Sequence, residues 1–253
     1  MRDVYVHRDT ILDVHQRAMA VASIAPTGAV LSGRSAAWLH GVDILGRGEP
    51  PEITLPRDTS MRPREGLIIR RALLPDDDVT VIDGVLVTTA LRTSFDLARR
   101  PDLVEGVVAV DALAHANLVQ LEELRDYAAE HHGWRGVRQA PRVVDLSEPR
   151  TESPMETRIR VTVVLAGLPR PEVQLDVYDD WGIHCGRLDL GYRGARTGIE
   201  YDGQQHRERW EADIRRQNRL REVGWTLLRY TAQDYYRRQR LMLQQIARAV
   251  YGQ

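Results

Sequence analysis

The chain has no lysine; all 35 of its Lys/Arg positions are arginine. A GC-rich genome would account for that. It still excludes every mechanism that needs a lysine ammonium or a lysine Schiff base. There is one cysteine, Cys185, which excludes an internal disulfide and a cysteine zinc cluster. No apolar run reaches the roughly 18 residues that a membrane-spanning helix requires. The opening stretch, MRDVYVHRDTILDVHQ, is charged and lacks the apolar core of a signal peptide. No phosphate loop, dinucleotide fingerprint, zinc motif or nucleophile elbow occurs. These absences lead to the expectation of a soluble cytoplasmic protein.

Charge is present but unevenly placed. Residues 1–150 hold 18 arginines against 22 acidic residues, a net −4, and residues 151–253 hold 17 against 14, a net +3. Within 207–248 there are 11 arginines and 5 acids, a net +6. A formal net charge of −1 therefore conceals a basic C-terminal region. Such a region is suited to phosphates, and it equally fits a solvated helix face.

The Pro-, Ser- and charge-rich stretch QAPRVVDLSEPRTESPME, 139–156, marks a domain boundary, giving expected domains at 1–145 and 151–253. Before it, residues 10–24 and SGRSAAWLHG read as helices, and EITLP and GLIIRRALL as strands. VTVIDGVLVTT is a hairpin around Asp83-Gly84, a pair favoured in type I′ turns. Helices follow over TTALRTSFDLARR, with Thr89 as cap, and over about 102–116 and 120–132. After the boundary the order is α-β-β-β-α-β-α. It runs from a helix over 154–166 through strands PEVQLDVY, RLDLGY and TGIEYD. An Arg-rich helix over 206–223, the strand WTLLRY and a last helix over 232–250 complete it. The fold class is thus α/β throughout.

Alternation along the strands puts Leu188, Leu190 and Tyr192 on one face and Arg187 and Asp189 on the other. In TGIEYD it puts Glu200 and Asp202 on one face. A turn of two or four residues between these strands pairs positions that sum to 389. Asp189 then stands opposite Glu200, at a Cβ separation of about 4.5–5.5 Å. A three-residue turn would destroy that register. Two facing carboxylates need an offsetting cation, either a hard divalent ion or a nearby arginine such as Arg187.

The run 151–250 resembles the small Vsr-like nuclease domain of the PD-(D/E)XK restriction-endonuclease superfamily, related to the very-short-patch mismatch repair endonuclease. ESPMETRIR, GLPRPEVQ, RLDLGY, IEYDGQQH and DIRRQNRLREVGWTLLRY carry the resemblance in order. It implies a restriction-endonuclease-like αβββαβ core. SGRSAAWLHG, VTTALRTSFDLARR and GWRGVRQA make the first half similar to the antitoxin-type region of AbiEi-like proteins. In that family a winged helix often comes first. Here the chain opens at DVYVHRD, roughly where such a unit would end, so a winged helix is expected to be absent or truncated.

The nuclease resemblance implies Mg²⁺ or Mn²⁺ held by Asp189, Glu200 and Asp202, with DNA as substrate. Asp202 stands at the place of the superfamily's lysine, and His206 or Arg229 would have to supply that cation's role. Glu156 matches the acid of the first helix, although Ser153-Pro154-Met155-Glu156 also reads as a helix cap. His206 reads as a general base, or as a surface residue at a helix start. Asp213 and Arg216 read as an ordinary i,i+3 ion pair. Pairing of the helix arginines with neighbouring glutamates leaves Arg207, Arg215, Arg216 and Arg219 as the phosphate-contacting set. The alternative to an endonuclease or nickase is a non-catalytic, antitoxin-like regulator. Its degenerate nuclease fold would bind nucleic acid or a protein partner such as a cognate toxin.

Overall fold

The computed structural model describes residues 14–44, 49–203 and 210–252. The chain divides into two compact units, with the boundary between Ser147 and Glu148.

In the first unit, α1 (Val14–Ile24), β1 (Val30–Leu31), α2 (Gly33–Leu39), β2 (Glu52–Leu55) and β3 (Ile68–Arg71) precede a hairpin. That hairpin consists of β4 (Val79–Ile82) and β5 (Val85–Thr88). Its turn residues Asp83 and Gly84 have φ of 50° and 77°, the left-handed pair that a type I′ turn needs. The five strands order as β3-β2-β1-β5-β4. β1 is central, yet two residues are too few to show a period, and the sequence pattern gave no sign of it. α3 (Ala90–Ala98) starts at Thr89, whose side chain accepts the Arg92 N–H, as expected of a cap. α4 (Leu103–His115) and α5 (Leu121–Glu130) follow. α6 (Ala140–Leu146) occupies the first part of the expected linker. Its Val143 and Val144 are buried, so their apolar surface holds this stretch in the first unit.

The second unit has α7 (Pro154–Leu165), β6 (Glu172–Tyr178), β7 (His184–Tyr192), β8 (Thr197–Tyr201), α8 (Trp210–Glu222), β9 (Thr226–Tyr230) and α9 (Ala232–Tyr251). The sheet order is β6-β7-β8-β9, antiparallel except for the parallel β8–β9 pair. Four residues, 193–196, connect β7 to β8. The observed pairs Leu190↔Ile199, Gly191↔Gly198 and Tyr192↔Thr197 all sum to 389, as the even-turn register requires.

Apart from a register shift at Val177/Tyr178, the simple face alternation fails in the middle of β6 and β7. Val173 and Leu190 pack with Met155, Ile159 and Ile246 in one core cluster. Leu175, Val177 and Leu188 pack with Leu220 in another. The change falls at Gln174 and Asp189, the pair that the β6–β7 ladder omits. Gln174 has φ of 52°, a left-handed backbone that turns the following side chain to the other face. The displaced leucines need room, and the cross-strand glycines Gly191 and Gly198 provide it. A Cβ on Gly191 would strike Leu175 Cδ2, and one on Gly198 would lie 2.8 Å from both δ-carbons of Leu188. Gly198→Val is therefore expected to destabilise the protein by about 1–3 kcal/mol through overpacking. An unchanged melting temperature would contradict this account of the slot.

Candidate functional site

The break in alternation is where the acidic residues converge. β7 and β8 stop pairing one step short of Asp189 and Glu200. In place of a ladder bond, Asp189 Oδ2 accepts the Tyr201 N–H at 3.0 Å. Burial, then the negative charge of Glu156, push the Asp189 carboxyl up to about 7; Glu200 adds to this, while the Tyr201 N–H and Arg216 oppose it. Burial and like charges acting together on one carboxyl make Asp189 the candidate to examine here.

Glu156 sits in the first turn of α7 and is buried, 7% exposed. The helix-cap reading of Ser153-Pro154-Met155-Glu156 is borne out. The Glu156 backbone N–H donates to the Ser153 hydroxyl at 3.2 Å, so the cap is real. Its carboxylate, however, reaches into the site. Oε2 accepts from Gln174 Nε2 and from the Glu152 N–H, each at 3.1 Å. Sequence reasoning did not single out Gln174; its bond to Glu156 and its left-handed backbone bring it beside the candidate site, and no sequence pattern encodes either.

Glu200, 6% exposed, is held by both terminal nitrogens of Arg216, with Nη2 to Oε2 at 3.0 Å. Arg216 Nη2 also donates to Asp213 Oδ1 at 2.8 Å, and Nη1 to the Arg187 carbonyl at 3.1 Å. The Glu200 hydrogen bonds, then the Asp213 one, raise the Arg216 pKa further despite burial. Asp213 meets Arg229 Nη1 at 3.0 Å, and Gln217 Nε2 at 3.1 Å. Partial burial works against its ionisation, yet the Arg216 and Arg229 contacts hold its carboxyl below the usual carboxylate range.

Asp202 does not join Asp189 and Glu200. Its N–H donates to the Tyr230 carbonyl at 2.8 Å and its carboxylate pairs with Arg229 Nη2 at 3.1 Å. Among the described residues, no three His, Cys, Asp or Glu side chains stand where together they could hold a metal ion. The expected ligand set Asp189, Glu200 and Asp202 is thus not assembled, because arginines draw two of its members aside. Arg216 also departs from expectation. It turns inward to Glu200, and the Asp213–Arg216 pair belongs to a larger network. Arg215 and Arg219 are exposed on α8, with Arg219 Nε on the Cys185 carbonyl at 3.3 Å. Arg187 lies 3.6 Å from Glu152 and is not the counter-ion of the facing carboxylates. His206 and Arg207 lie outside the described residues.

Donor chemistry still suits a hard cation. Glu156, Asp189, Glu200, Asp202 and Asp213 carry five formal negative charges and Arg216 and Arg229 two positive ones, a net −3. Carboxylate oxygens are the donors that Mg²⁺ and Mn²⁺ take. A divalent ion beside Asp189 would favour its ionised form against burial and the charges of Glu156 and Glu200.

Residues 27–149 match the family model of the AbiEi antitoxin C-terminal domain. Residues 170–250, which include Asp189, Glu200 and Arg216, match the restriction-endonuclease model REase_MTES_1575. Two curated relatives are the uncharacterized proteins MT2308 and Rv2248 of Mycobacterium tuberculosis, from strains CDC 1551 and H37Rv. Each is 26% identical over 244 residues, covering 94% of this chain and 83% of the relative.

Proposed function

We propose a Mg²⁺- or Mn²⁺-dependent DNA endonuclease or nickase with a defence, repair or toxin–antitoxin role, from the pairing of an AbiEi antitoxin C-terminal domain with a restriction-endonuclease-like domain. The observation that carries the reading is the convergence of Glu156, Asp189 and Glu200 where β7 and β8 separate. Asp189 and Glu200 would hold the cation, with Glu156 nearby; Asp202 is no longer in the set. When bound, the cation would polarise a phosphate and lower the pKa of its water.

The chain's own residues prepare that site. The Tyr201 N–H fixes one Asp189 oxygen and leaves the other for a ligand. Gln174 and the Glu152 N–H orient Glu156. Arg215 and Arg219, on the exposed side of α8, are assigned to DNA phosphates; such contacts position without specifying sequence. The first unit is assigned the contact with a cognate toxin or another protein partner.

A second reading has its own support: the absent lysine and the engagement of Glu200 by Arg216. It is a regulator with a degenerate nuclease fold, whose DNA binding needs no divalent ion. Incubating the full chain with supercoiled, linear and single-stranded DNA in Mg²⁺, Mn²⁺ or EDTA separates the two. Nicking or linearisation only with the cation is the expected result. DNA that stays intact in every form while binding persists in EDTA would establish the regulator instead.

A further inference from the structure

Arg216 is held in a way that an ordinary helix ion pair does not require. Its stem crosses β7 at Gly186, where a Cβ would lie 2.9 Å from Arg216 Cγ. Glycine there gives the arginine its passage over the strand. The guanidinium head then covers both oxygens of Glu200, in the bidentate fork geometry that arginine favours.

Its two carboxylate partners differ in one respect. Asp213 keeps Arg229 and Gln217 if Arg216 withdraws. Among the described residues, the Glu200 carboxylate has Arg216 as its hydrogen-bond partner and no other. Withdrawal therefore leaves the Glu200 carboxylate bare, and a bare buried carboxylate beside Asp189 must take up either another cation or a proton. The chain also lacks lysine, so any positive side chain at a reacting phosphate has to be arginine or histidine.

We propose that Arg216 and a divalent cation compete for Glu200: the guanidinium closes the site in the ion-free chain, and the ion frees it to contact the DNA phosphate. The inference rests on the metal-dependent reading above. Arg216 is then the group that couples ion loading to phosphate binding. It takes over the lysine's task from a helix instead of from the strand position now held by Asp202.

The test is Mn²⁺ titration of the full chain by calorimetry, beside cleavage of supercoiled DNA, for wild type, Arg216→Gln and Arg216→Lys. Removing a competitor should tighten Mn²⁺ binding by Arg216→Gln about tenfold or more, a factor within the usual range for coupled sites. The same variant should cleave at least about tenfold more slowly at saturating Mn²⁺. Arg216→Lys cannot grip both oxygens, so it should show a smaller gain in affinity and recover part of the cleavage. A purely structural arginine would lower both readouts together. Mn²⁺ binding by wild type with no tightening in either folded variant overturns the competition and leaves the metal-dependent reading standing. No Mn²⁺ binding by wild type or either variant overturns both.

Discussion

Asp189→Asn is expected to abolish function and stabilise the protein at the same time. Loss of the carboxylate should lower cation-dependent cleavage by at least about 100-fold, the scale reached even by losing a residue that only supports a metal ligand. The asparagine Oδ1 can still accept the Tyr201 N–H, so the fold keeps its bond. The stability change depends on pH, and its sign follows from the raised pKa. In the native chain Asp189 holds its proton up to about pH 7, against an ordinary value of 3.8. Between about pH 4 and 7 the native state thus binds more protons than the unfolded one. Its stability falls as pH rises through that window and levels off above it. The displacement bounds the effect at about 4 kcal/mol. Partial solvent access to Asp189 reduces the expectation to about 1–3 kcal/mol. In EDTA, urea unfolding of Asp189→Asn should match wild type near pH 4 and exceed it at pH 8. Parallel curves for the two proteins across this range would show that Asp189 is not under electrostatic pressure.

Arg92→Met should be the most damaging single change in the first unit. Arg92 is 0% exposed. Its Nη1 binds Asp78 Oδ2 at 2.5 Å and its Nε binds Asp96 Oδ2 at 2.8 Å. Tyr127 donates to Asp78 Oδ1 at 2.6 Å, and Arg99 Nη2 to Asp96 Oδ1 at 2.6 Å. The guanidinium lies over the Trp134 ring, 4.7 Å from its centroid. Burial alone would lower the Arg92 pKa, but Asp96 and Asp78 outweigh it and raise it. Methionine fills the space yet leaves two buried aspartates without their shared cation. Breaking a buried pair from one side costs about 3–5 kcal/mol. Adding Asp78→Asn and Asp96→Asn should restore part of that loss. A single variant within about 1 kcal/mol of wild type in urea unfolding would remove Arg92 from the centre of this unit.

Much of the fold was legible because it is coded locally. Thr89 and Ser153 cap their helices as their positions indicate. Asp83-Gly84 turns the hairpin because both residues tolerate positive φ. The even turn between β7 and β8 set the register of Leu190↔Ile199, Gly191↔Gly198 and Tyr192↔Thr197, one step from Asp189 and Glu200. What escaped was coded at a distance. Val30-Leu31 is a strand only because β2 and β5 flank it. The faces of Leu188 and Leu190 part company only because Gln174 adopts a left-handed backbone. The Asp213–Arg216 spacing predicted a pair, but not that Arg216 would reach on to Glu200.

The sequence by itself determined the two-part α/β organisation, most elements of both units and the pairing of two acidic strands. Those features rest on periodicity, caps and turn chemistry, which act over a few residues. The tertiary structure alone decided which carboxylate met which cation. Arg229 took Asp202, Arg216 took Glu200, and among the described residues Asp189 was left against Glu156 without an arginine pair of its own. Charge partners are chosen by distance in space and by the cost of burying an unpaired ion. Neither quantity exists until the strands and α8 have packed.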